Sequence, residues 1–306
     1  MRSEVVSVVV VVSLVHTAMW LGLNADTQAA ESRFTVLLRQ AGNSQHARAY
    51  GASSLAGYYR DGGKFEESLQ AFEEASRYDP ENGRYHVGRA YVLSIQGNLE
   101  AAESALKQAL ELTPDRLEAL INLGKLYLEA GRKAEAQSVF VRAVNRNGES
   151  EQALHGLATA HYRLGDYAAA DALYRGAIRL VPNNAAYHID LGNTLLQREK
   201  YDGAEASLRT ALGIDSGSTR ARMVLGAVHF GRGEYDLASR VFSKVTSVHP
   251  DRADAHLNLG LSLKAAGHLG RARVHLEQML KLSPNDPESD EIRGMLEDLS
   301  GGDLNQ

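Results

Sequence analysis

The chain of 306 residues contains no cysteine, which excludes disulfides, thiol catalysis and cysteine-based metal sites. It also lacks an excess of positive charge. Its 33 Lys and Arg stand against 38 Asp and Glu, a formal net charge of -5, whereas a nucleic-acid binder carries a basic stripe. No P-loop, dinucleotide-binding glycine turn, HExxH pair or GxSxG elbow is present. Gly51, Ala52, Ser53 and Ser54 come nearest to the elbow, but they lack its closing glycine and follow no strand pattern. The sequence therefore points to no enzyme and implies no cofactor. Proline is scarce, at six residues, and each one falls where a helical pattern breaks.

What the chain does have is a period. Residues 151–184 read as two short amphipathic helices joined by a tight turn. The first carries Leu154, Leu157, Ala158 and His161 at helical spacing; the second carries Tyr167, Ala170, Leu173, Tyr174 and Ala177. Gly165 suits the left-handed conformation that ends the first helix, and Pro182 stops the second. One such hairpin cannot bury its own apolar face and needs copies on either side.

The copies follow at 34-residue intervals without insertion or deletion, seven of them across residues 49–286. A small residue always stands at one position of the first helix: Ala56, Ala90, Gly124, Ala158, Gly192, Gly226, Gly260. A small residue also recurs on the second helix: Ser68, Ala102, Ala136, Ala170, Ala204, Ala238, Ala272. Four residues later a large one recurs: Phe72, Leu106, Phe140, Tyr174, Leu208, Phe242, Leu276. The turn glycine fails only at Glu199, and the terminal proline is replaced by Gly148 and Ser216.

This pattern resembles the tetratricopeptide repeat family, whose unit is 34 residues of helix–turn–helix. The resemblance implies an all-α fold, a right-handed superhelical solenoid of seven units with terminal capping helices. Departures are mild. The family's aromatic near the start of the first helix is Ala52, His86, Leu120, Leu154, His188, Arg222 or His256 here. Arg89 replaces a leucine of the other six units, which predicts looser packing in the second.

Outside the repeats, residues 1–25 form a separate segment. Arg2 precedes a run from Val5 to Leu23 interrupted only by Ser7, Ser13, His16 and Thr17, with Asp26 and Glu31 after it. Three readings stay open: a secretory signal, an uncleaved membrane anchor, and a buried valine strand. Either membrane reading places the repeats outside the cytoplasm, and the bacterial periplasm fits the absence of any Asn-x-Ser/Thr acceptor. Membrane contact is then confined to this segment. Residues 26–48 are expected to hold a linker and a capping helix with Phe34, Leu37 and Leu38 on one face. Residues 287–306 are expected to form a second capping helix, through Ile292, Met295, Leu296 and Leu299, and a tail.

Eleven histidines invite a metal reading, but a site needs converging ligands. His86, His188 and His256 share one repeat position, His161 and His229 another, so each set is strung out along the chain. His268 and His275 are expected to be parted by the seventh turn. No metal is predicted.

In the family the first helices line a concave groove. Resemblance then places Val87, Ile121, His155, Ile189 and Met223 in one ligand-facing row. Tyr91, Lys125 and Asn193 fall in the next row, Tyr162 and Phe230 in a third. Asn122, Asp190 and Asn258 recur in alternate units, where side-chain amides could bond the backbone of an extended peptide. The competing reading is that these rows pack between neighbouring helices. The lysine–asparagine pair by which some members hold a terminal carboxylate is absent. The expected partner is a protein or peptide, held on a non-enzymatic scaffold. The alternative is a structural subunit of a cell-envelope machine that binds through its convex face.

Overall fold

The computed structural model describes residues 44–301, all within or between helices. Fifteen α-helices occur among them, with no strand. The first repeats hold α1 (Gln45–Asp61), α2 (Phe65–Tyr78), α3 (Arg84–Ile95), α4 (Leu99–Leu112), α5 (Leu117–Glu129) and α6 (Lys133–Arg146). The later ones hold α7 (Glu151–Leu164), α8 (Tyr167–Leu180), α9 (Ala185–Gln197), α10 (Tyr201–Ile214), α11 (Thr219–Gly231), α12 (Tyr235–Val248), α13 (Ala253–Ala265) and α14 (Leu269–Leu282). A final helix, α15 (Ser289–Gly301), packs on α14. The odd-numbered helices from α1 to α13 are called A helices below, their even-numbered partners B helices. The predicted capping helix around Phe34 and the apolar run of residues 5–23 lie outside the described residues. No described helix is long and apolar enough to cross a membrane.

Local chemistry sets the boundaries. Ser44, Asn98, Ser150, Asp166, Asn184 and Ser218 each accept a hydrogen bond from a backbone N–H in the first turn of the helix they precede. The six turn glycines all have positive φ, between 73° and 85°, and Glu199 adopts the same conformation at φ 56°. The one departure from the glycine pattern thus keeps the turn and bears the strain of a side chain in left-handed backbone.

Three of the residues that depart from the family's A-helix aromatic bond the chain just before their own helix. His188 and His256 bond through Nε2 to the carbonyls of Pro182 and Pro250, at 2.8 and 3.1 Å. Arg222 donates to the carbonyls of Ser216 and Gly217. Each satisfies a carbonyl in the break before its own helix, which would otherwise lack a partner. Arg89 remains half-buried, and nearby His86 keeps a buried Nδ1 with no hydrogen-bond partner.

Contacts divide the described residues into two compact parts, one ending at Gly148 and the other beginning at Glu149. Within each, an A helix packs on its own B helix, and that B helix packs on the next A helix. The core is therefore a strip between helix layers. All seven small residues of the B helices have no measurable exposure, nor do Phe140, Leu208 and Leu276 at the large position. Each large side chain so buried is worth about 1.5–3 kcal/mol.

The alternation of small and large has a direct geometric cause. A Cβ built on Gly124 would lie 2.6 Å from the Phe140 ring; on Gly192, 2.7 Å from Leu208; on Gly226, 2.5 Å from Phe242. The first repeat has Ala56 instead, and there the Phe72 ring lies over Gly88 of the following A helix, 2.4 Å from a built Cβ. For Phe72, Phe140 and Phe242, a glycine thus receives the ring on one side or the other.

Candidate functional site

The A-helix positions expected to face a ligand have different environments. Val87, Ile121 and Ile189 are buried, with 2, 5 and 4 % exposure. This part of the first row packs between helices, because neighbouring A helices approach closely enough to cover it; α3 contacts α5, and α9 contacts α11. His155 and Met223 of the same row are half-buried. Tyr91 and Phe230 are exposed, at 51 and 37 %, and Lys125 is exposed as well.

In the carboxy-terminal part, the polar members form a network across three A helices. His155 on α7 donates from Nε2 to Asp190 Oδ2 on α9 at 2.7 Å, and Arg220 on α11 pairs with the other carboxylate oxygen. The His155 ring stacks on Tyr187, centroids 4.7 Å apart, and lies tilted against Tyr174. Asn193 donates to the Tyr162 hydroxyl at 2.8 Å. Thr159 donates to the His155 carbonyl, so its oxygen accepts the Tyr174 hydroxyl at 3.0 Å. Burial pushes the Tyr174 phenol well above its ordinary pKa, helped by the Asp190 charge, and raises those of Tyr162 and Tyr187 as well. These phenols stay protonated and act as neutral hydrogen-bonding groups.

The Asn122, Asp190 and Asn258 set does not share one role. Asp190 is held by His155 and Arg220. Asn258 donates to the Asp254 carbonyl of its own helix at 2.7 Å. The Asn122 side chain makes no hydrogen bond to another described residue. It lines a cavity of about 160 Å³ in the amino-terminal part, between α3 and α5. Tyr91, Ser94, Lys125 and Glu129 share its rim, and Ala90, Leu106 and Leu126 form its floor. Three of the expected residues, Tyr91, Asn122 and Lys125, thus converge on one open cleft. The Arg60 guanidinium sits over the Tyr91 ring, 5.3 Å from its centroid.

Two features were not foreseen from sequence. One is a set of ion pairs joining three of the A–B turns to the preceding B helix. Arg132 reaches Glu103 at 2.5 Å, Arg198 pairs with Asp171, and Arg232 reaches Glu205 at 2.9 Å. Hydrogen bonds from Arg132 and Lys107 hold the Glu103 carboxyl down at a pKa of about 2. The arginines stand at two different repeat positions, so no single column of the repeat displays them. The other is a histidine pair in the seventh repeat. His268 stands at the N-cap position of α14, just after the turn glycine Gly267, so the turn does not part it from His275 as expected. His275 instead meets His256 of α13, Nδ1 to Nδ1 at 3.1 Å. The His256 Nε2–H is committed to Pro250, so in the neutral pair its Nδ1 accepts and His275 donates. Burial lowers the His275 pKa, and repulsion of its charged form by the His256 ring and the Arg271 guanidinium adds to the effect. No cluster of three metal-ligating side chains occurs among the described residues.

Family models described as tetratricopeptide repeat match residues 53–116, 93–160, 155–219, 195–259 and 253–278. Cellulose synthase operon protein C of Xanthomonas axonopodis pv. citri is 30 % identical over 200 residues, 62 % of this chain and 13 % of that protein. This chain spans only a minor share of the curated relatives it matches. A tetratricopeptide repeat protein from Parabacteroides merdae superposes with a TM-score of 0.63 at 17 % identity, covering 83 % of this chain and 99 % of that one. The APC/C hetero-tetramer Cut9-Hcn1 gives 0.64 at 15 %, over 89 and 52 %. At such identities the structural likeness concerns the fold alone. Repeats of this kind bind protein or peptide partners.

Proposed function

The chain belongs to the tetratricopeptide repeat family, and on that premise we propose a non-enzymatic scaffold that captures a protein segment on its A-helix faces. The supporting observation is the unequal treatment of those faces. Ile121 and Val87 are covered, yet Tyr91 and Phe230 stay exposed, and Asn122 and Lys125 line a cleft beside Tyr91 without a side-chain partner. A surface that served packing alone would have no use for them.

Cross-linking capture from intact cells tests this. The Tyr91→Ser, Lys125→Glu, Phe230→Ser chain changes exposed positions only and should keep its helicity while losing its partners. Equal capture by that chain would move binding off the A helices.

We further propose that the repeats act outside the cytoplasm, most simply in a bacterial periplasm. The reading rests on the apolar run of residues 5–23, with Arg2 before it and Asp26 and Glu31 after. A reporter enzyme active only after export, fused behind residue 48, should be active; an inactive, cytoplasmic fusion would refute it. A second reading, a structural subunit of an envelope machine bound through B helices and caps, draws on the relative named for a cellulose synthase operon. Capture that tolerates the A-helix substitutions and fails when exposed B-helix residues are changed would favour it.

A further inference from the structure

The cleft between α3 and α5 has counterparts at the same repeat positions between α7 and α9, and the chain fills those itself. Ser94 on the rim corresponds to Tyr162, and Leu106 on the floor to Tyr174. Tyr162 is packed against the core there, and its hydroxyl accepts a hydrogen bond from Asn193. Asn193 corresponds to Lys125, and Asp190, held by His155 and Arg220, corresponds to Asn122. The positions that the carboxy-terminal part satisfies internally are therefore left open in the amino-terminal part. Neither Asn122 nor Lys125 bonds another described side chain.

From this comparison we propose that the α3–α5 cleft is a pocket for one tyrosine side chain of the partner segment. The proposal rests on the scaffold reading and identifies what that scaffold grips. Leu106 and Leu126 take the ring, and the phenol oxygen accepts from the Lys125 ammonium, as Tyr162 accepts from Asn193 at the corresponding position. The size agrees. The cavity is about 160 Å³, and an apolar cavity of about 150 Å³ accepts a benzene ring. The exposed Tyr91 ring at the rim adds an edge for the incoming aromatic. Glu129, also at the rim, keeps the site from being a pure anion trap, which favours a neutral phenol over a carboxylate.

The test is a titration of the full chain, with carbon-13-labelled leucine methyls, by N-acetyl-tyrosinamide, N-acetyl-phenylalaninamide and N-acetyl-leucinamide. Shifts should appear at the Leu106 and Leu126 methyls, with dissociation constants of the order of millimolar for so small a probe. The tyrosine amide should bind about fivefold or more tightly than the phenylalanine amide, since a hydrogen bond to a charged donor is among the stronger ones. Lys125→Met should abolish that preference and leave phenylalanine binding in place. Ser94→Tyr, which supplies the ring from within, should abolish all binding. Absence of shifts at those methyls, or equal preference in Lys125→Met, overturns the proposal. Failure of the cleft is separable from failure of the scaffold reading. If Ser94→Tyr retains every cross-linked partner while the three-residue surface variant loses them, the tyrosine pocket is wrong and the scaffold stands.

Discussion

A single methyl group at Gly226 tests the packing logic of the repeats. A Cβ there would lie 2.5 Å from Cζ of Phe242 and 2.6 Å from Cε1, and Phe242 is 1 % exposed. Two effects oppose. Alanine is favoured over glycine inside a helix by about 1 kcal/mol, while overpacking a filled core costs about 1–3 kcal/mol. The first repeat tolerates Ala56 because Phe72 can lie over Gly88. The position corresponding to Gly88 beyond Phe242 is Asn258, so that escape is closed and the clash should win. Gly226→Ala is expected to destabilise by about 1 kcal/mol net. Gly213, exposed on α10 with nothing within 4 Å of a built Cβ, supplies the control; Gly213→Ala should stabilise by about 0.5–1 kcal/mol. Because repeat arrays unfold piecewise, urea melts followed by circular dichroism should be joined to amide exchange in α11 and α12. The double variant Gly226→Ala, Asn258→Gly should recover part of the loss. A Gly226→Ala chain as stable as Gly213→Ala would refute the reasoning.

Two further predictions concern single residues. Glu199→Gly should raise stability by about 0.5–1 kcal/mol, the relief of left-handed backbone strain less the extra freedom of unfolded glycine; a lower thermal midpoint would contradict it. Glu103, whose pKa falls from 4.5 to about 2 on folding, contributes stability that is fully present above pH 4.5 and lost as pH falls towards 2. Glu103→Gln should therefore melt earlier than the parent at neutral pH, and the gap should close across that window; a gap independent of pH would show that the ion pair with Arg132 is not its source.

Much of the architecture was legible because it is periodic. The small residue on each A helix, the large one on its B partner and the turn glycine repeat in fixed columns, and a close helix crossing demands that pairing of sizes. Even Glu199 was readable as a departure, though only the backbone shows that it adopts the glycine conformation. The site was less legible, because helical periodicity marks a face without saying what covers it. Val87, Ile121 and Ile189 lie in the same row as Met223, yet a neighbouring helix buries the first three. Nor could spacing show that Asp190 would be claimed by His155 and Arg220 while Asn122 stayed unbonded. Those outcomes depend on residues 30 and 35 positions away. The pairing of His256 with His275 joins two helices through ring positions that no sequence pattern encodes.

The claim that partners are held by the A helices is tested most directly by site-specific photo-cross-linking. A photoreactive phenylalanine would be placed singly at Tyr91 and Phe230 on A helices, and at Val141 and Val274, exposed by 39 and 61 % on B helices. The account predicts partner adducts in intact cells at Tyr91 and Phe230 and none at Val141 or Val274. Adducts formed only at Val141 or Val274 would contradict it and assign binding to the B-helix surface.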